Sequence, residues 1–138
     1  ARRSGLNAEI TLSKFLAFLR AFSAATISLR IMGLNRVLRS LSTPPICSRQ
    51  QNPQPIEQLV SVFRRIRLWF YSAHGRCLFD SIVLCFFLRQ YGHHPSLYIG
   101  VYSKPFTAHA WVQIGHMVLD EPVETIQQFR PIFVTAGD

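Results

Sequence analysis

The sequence is short of several things, and each shortage excludes a class of protein. Its three cysteines are odd in number and unevenly spaced, so they make no disulfide framework. No charged-then-apolar leader opens the chain, and reduced thiols in the cytoplasm are the expectation. Long apolar runs are missing as well. The longest uninterrupted one, "IVLCFFL" at residues 82–88, falls far below the roughly 18 residues of a membrane span, so no span is expected and the run reads as a core helix. Acids are scarce in one half: residues 1–76 carry twelve Lys or Arg against Glu9 and Glu57, whereas residues 77–138 carry three against five acids. The net charge of +8 therefore belongs to the N-terminal half. No aromatic-interleaved basic loop or nucleic-acid motif accompanies these arginines, which favours a solvated helix surface over a nucleic-acid partner. Zinc spacing is also lacking: His74 and Cys77 find no second Cys/His pair, and His93 and His94 stand at a helix end before Pro95.

What is present is a hydrophobic content of 49%, enough for one good core, and a single domain over residues 1–138 is expected. Ala1 in place of methionine suggests a processed end or a piece of a longer protein. Asn7 can cap a helix carrying Phe15, Phe18, Leu19 and Phe22 at spacings of three and four, with Lys14 and Arg20 off that stripe. Residues 28–41 continue the pattern through Gly33, as a second helix or a bent continuation. Three prolines and no periodicity make residues 42–53 a connecting loop, with Cys47 inside it, so that residues 1–54 read as N-terminal helices and linker. Pro55 suits the first turn of a helix that shows Ile56, Leu59, Val60, Phe63 and Ile66 at helical spacing up to about Tyr71, with Arg64, Arg65 and Arg67 outside.

After the "AHGR" turn the stretch that opens at Cys77 is apolar nearly all round, which means a helix buried on most sides, ended by Gly92 and stopped by Pro95. The period then switches to two. Residues 96–103, 107–114 and 117–120 read as strands, with Gly115 and His116 as a two-residue hairpin turn. Helices followed by an antiparallel hairpin sheet make the class α+β, the buried helix lying on the sheet. The tail from Pro122 carries no clear signal.

Cys77 stands where the free backbone N–H groups and the positive end of the helix macrodipole stabilise a thiolate. A cysteine at such a place is otherwise a packing residue, as Cys85 is expected to be, and a nucleophile there needs a base. His109 lies in a strand of small and apolar residues, and imidazole suits the removal of a thiol proton near neutral pH; a satisfied core histidine is the plain alternative. A turn at Gly115 and His116 pairs Ile114 with Met117, Trp111 with Asp120 and His109 with Pro122. Alternation then brings Asp120 diagonally beside His109 and sends Glu121 to the other face. A three-residue turn would exchange the two acids. Asp120 is the choice, as the carboxylate that orients the imidazole.

These residues carry a resemblance. "GRCLFDSIVLCFFLRQYG", "LYIGVY" and "FTAHAWVQIGHMVLDE" resemble the B proteins of lasso-peptide biosynthesis, leader peptidases among the transglutaminase-like cysteine peptidases. The likeness runs from about residue 56 to 124 and is most specific in "AHAWV" with an upstream Cys-Leu at a helix start. It implies a transglutaminase-like or papain-like fold, a catalytic core over residues 55–138, and a Cys-His-Asp triad at Cys77, His109 and Asp120. "QIGH" stands where the family has a turn one residue longer. The resemblance further implies removal of the leader from a lasso precursor peptide, a lasso cyclase that uses ATP as partner, no intrinsic cofactor or metal, and room for a dependence on ATP. Family members carry a leader-recognition domain, fused or separate; residues 1–70 show no strands of the kind it needs. The rival readings are an acyltransferase or transglutaminase with the same triad, in which an amine resolves the thioester, and a non-catalytic binding module on the same fold.

Overall fold

The computed structural model describes residues 11–42, 55–70, 76–119 and 121–135. Asn7, the loop with Cys47, His74 and Asp120 lie outside them. The first helix, α1 (Leu12–Ile31), is capped by Thr11, whose hydroxyl accepts the Lys14 amide at 3.3 Å. It buries Ala17, Phe18, Ala21 and Ala25. By length and composition alone α1 could cross a membrane, which a search for uninterrupted apolar runs passes over because Lys14, Arg20 and Arg30 punctuate it. The chain breaks at Met32 and Gly33, so the periodic stretch over residues 28–41 is divided: its first residues finish α1, and α2 (Leu34–Ser42) takes the rest.

Helix α3 (Ile56–Arg67) starts after Pro55 and buries Leu59, Val60, Val62, Phe63 and Ile66, the stripe that the helical spacing marks. Arg64 and Arg65 are exposed as the pattern implies. Arg67 is not: it is half-buried and binds Asp80 at 2.6 Å, because a carboxylate within an otherwise apolar helix needs a cation beside it. Helix α4 (Cys77–Arg89) is the core helix, with Ile82, Val83, Leu84, Cys85, Phe87 and Leu88 all sealed from solvent. Aromatic rings tie the helices together: Phe18 meets Phe63 with centroids 5.4 Å apart, Phe63 meets Phe87 at 5.7 Å, and Phe22 stands edge-on to Phe79 at 5.7 Å. Arg89 donates to the Ser40 carbonyl at 3.2 Å and to that of Leu41, so a cation from α4 closes the C-terminal turn of α2.

Strands β1 (Ser96–Ser103) and β2 (Phe106–Ile114) form an antiparallel hairpin, and β3 (Met117–Val118) returns along β2. Ile114 pairs with Met117 across Gly115 and His116, and Gly115 alone takes a positive φ of 58°, the mark of a type II′ turn. The ladder of β3 stops at Val118, two residues short of the expected strand end. A short helix α5 (Val123–Ile126) and a strand β4 (Arg130–Val134) follow, and β4 pairs antiparallel with β1. The sheet is four-stranded in the order β3-β2-β1-β4. The uninformative tail thus supplies an edge strand, hidden in sequence by Pro131 and by side chains that are all exposed.

Helices and an antiparallel sheet make an α+β fold. α4 packs on the face of the sheet that carries Leu97 and Val112, which belong to the same buried cluster as the helices. Because β3 and β4 lie at opposite edges, residues 121–129 must pass over the other face. Phe129 lands there, against Trp111 and beside Gly100, where an added Cβ would come within 2.7 Å of the indole.

Candidate active site

Cys77 is the first residue of α4. Arg76 before it has φ −127° and ψ 35°, outside helical values, while its carbonyl already accepts the Asp80 amide at 2.9 Å. The backbone N–H groups of this first turn have no intrahelical acceptor, which is what an anion beside Cys77 would use. The thiol is half-buried, whereas Cys85 is 0% exposed. A cavity of about 390 Å³ opens at Cys77 between α1, α2 and α4, and among the described residues its walls include Leu29, Leu34 and Phe79.

His109 lies in the middle of β2, opposite Gly100. Its Nε2 meets Oε1 of Glu121, and both side chains keep about a fifth of their surface open, 19% and 23%. The ring stacks on Trp111 with centroids 6.3 Å apart and planes 21° apart, and packs on Phe129 at 5.3 Å. Trp111 is itself fixed by Tyr98, stacked at 5.6 Å, and by donating from Nε1 to Gln113 at 2.9 Å. The imidazole is therefore held in plane by aromatic neighbours and addressed by a carboxylate on one nitrogen. That is the geometry of an oriented base.

The acid in that position is Glu121, expected on the opposite face. Alternation governs side-chain direction only while the strand lasts; β3 ends at Val118, the chain bends at Leu119, and Glu121 is delivered by the segment that crosses the sheet. The predicted pairing of His109 with Pro122 is absent from the β2–β3 ladder, which holds two pairs. Asp120 lies outside the described residues.

His109 faces away from the side of the sheet on which the middle of α4 packs. Val112 shares the buried cluster with α4, and alternation turns His109 and Trp111 the other way, toward Phe129. Among the described residues no hydrogen bond joins the thiol to the ring. The structure sets the imidazole beside a carboxylate and, apart from it, a half-buried thiol at a helix start.

One further pair went unread in the sequence. Asp80, 4% exposed, lies three residues after Cys77 and is bound by Arg67, so the first turn of α4 is pinned to the end of α3. The signal was there: Asp80 is the one acid in "CLFDSIVLCFFLR", and a buried carboxylate implies a partner.

No curated protein and no solved structure matches the chain. The Transglutaminase-like superfamily matches residues 19–134, from within α1 to the end of β4, a span that takes in the start of α4 and the whole sheet. A fold of helices on a small antiparallel sheet, with an accessible cysteine opening the core helix, agrees with that match, and the chain belongs to the Transglutaminase-like superfamily.

Proposed function

We propose that this chain is a thiol peptidase that removes the leader from a ribosomally made lasso-peptide precursor in the cytoplasm, and that it hands the core peptide to an ATP-using cyclase. The observation that carries the thiol chemistry is the half-buried Cys77 at the first residue of the core helix, within a Transglutaminase-like domain. The superfamily fits a cysteine peptidase or a transglutaminase-type enzyme; the precursor, the cyclase and a leader-recognition domain are proposals that rest on the resemblance of "GRCLFD" and "AHAWV".

In this reading His109 takes the Cys77 proton as sulfur attacks the scissile carbonyl. The carbon–nitrogen bond then breaks and His109 returns the proton to the leaving amine. Water hydrolyses the thioester and restores the thiol. The Cys77 backbone N–H is the first donor to the oxyanion. Glu121 holds the ring and stabilises its cationic form, the role first given to Asp120. The proton transfer requires the thiol and the ring within hydrogen-bond reach, a contact that is absent among the described residues.

Incubating the purified chain and its precursor with the recognition domain tests the proposal, with mass spectrometry reading the leader and core fragments. Cys77→Ala and His109→Ala should each abolish cleavage; full activity in either removes that residue from the reaction. Products joined to an added amine, in place of free acid, would make the enzyme an acyltransferase instead.

A further inference from the structure

The cavity at the start of α4 is walled mainly by apolar side chains. Leu29 of α1, Leu34 at the first position of α2, and Leu78, Phe79 and Ile82 of α4 line it, and Cys77 forms part of the same wall. Its volume of about 390 Å³ lies within the roughly 300–1,000 Å³ of small-ligand clefts. The polar groups among the described lining residues belong to Cys77 and Arg76, so the walls offer an incoming group apolar contact and little else.

The geometry points to this cavity as the pocket for a large apolar side chain on the acyl side of the bond that Cys77 attacks, which makes Leu29, Leu34 and Phe79 specificity-determining residues; the inference rests on the thiol-peptidase reading. The acyl side follows from the chemistry. During the reaction the acyl group becomes bonded to the Cys77 sulfur while the amine departs with a proton from the base. The groups next to that carbonyl must therefore lie against the surface around Cys77, and among the described residues Cys77 itself lines this cavity. Leucine, isoleucine, methionine or phenylalanine would bury apolar area there; aspartate or glutamate would lose hydration with no polar group in the walls to replace it beyond Arg76.

Peptidyl chloromethyl ketones test this without turnover, because sulfur displaces chloride in one step and forms a stable carbon–sulfur bond. N-acetyl-Leu, N-acetyl-Phe and N-acetyl-Gly chloromethyl ketones are compared by the rate at which each modifies Cys77, read by peptide mass mapping and normalised to their rates with glutathione. Iodoacetamide, which places no side chain, reports the thiol's own reactivity. The Leu and Phe reagents should outpace the Gly reagent by about 10–200-fold. Leu34→Trp, which fills the cavity, and Leu34→Glu, which charges its mouth, should each pull that ratio toward one; Leu34 is 39% exposed, so neither change empties the core. Equal normalised rates in the wild-type chain would overturn the inference, as would a ratio that survives both substitutions. A large ratio with no precursor cleavage would sink the peptidase reading and leave the pocket standing; cleavage with equal ratios would do the reverse.

Discussion

Two cysteines on one helix make a clean residue-scale comparison. Cys77 is half-buried in the first turn of α4, and Cys85, eight positions on, is sealed in the core. Brief treatment with iodoacetamide near neutral pH should modify Cys77 well before Cys85, since a thiol reacts through its exposed thiolate. Peptide mapping that finds Cys85 labelled first would refute the assignment of the nucleophile. The acid is decided in the same way. Glu121→Gln keeps the shape that contacts His109 and removes its charge, so turnover should fall roughly 10²–10⁴-fold with the fold intact, whereas Asp120→Asn should cost far less. The opposite order in kcat would return the role to Asp120. Cys77 and His109 were legible as candidates because each residue type is unusual for its element. The contact of Glu121 with His109 was not, because its direction depends on where β3 stops, and two residues of ladder leave no periodicity to read.

At the scale of elements, α4 was plain in the sequence from its apolar length and from the Gly92 and Pro95 that follow it, and β1 and β2 from alternation. The strand β4 was opaque because an edge strand with every side chain exposed shows no inward face, and Pro131 argues against a ladder that the edge position tolerates. What fixes these elements to one another is testable. Arg67→Met leaves the Asp80 carboxylate buried without its guanidinium and should destabilise the chain by about 3–5 kcal/mol, while adding Asp80→Leu to it should recover much of that loss. Urea unfolding of the two variants measures both, and a single variant as stable as the parent would show the pair to be incidental. On the sheet, Gly100→Ala drives a methyl to 2.7 Å from the Trp111 ring and 3.1 Å from Phe129, both of which pack on His109. A loss of about 1–3 kcal/mol is expected from such overpacking, with a fall in activity as the imidazole is displaced.

For the whole molecule, the proposed leader removal requires that a long peptide be delivered to the start of α4. Among the described residues before residue 70 the elements are helices, α1, α2 and α3, and two arginines of the basic N-terminal half are engaged within the fold: Arg64 on the Leu119 carbonyl at 3.3 Å and Arg67 on Asp80. The excess of positive charge is thus partly structural, and a cleft that grips the few residues around the scissile bond gives weak hold on a leader. If a recognition domain binds the leader, it raises the local concentration of the cleavage site at Cys77, an advantage that tethering sets at roughly 10²–10⁴-fold. Cleavage measured against precursor concentration, with that domain present and absent, should show this gain in KM and little change in kcat, because the chemistry at the thiol is the same once the site is filled. The two curves should converge at high precursor. Equal KM values would mean that this chain reads the leader itself, and charge reversal at the exposed Arg65 of α3 and Arg36 and Arg39 of α2 would then be the way to find where.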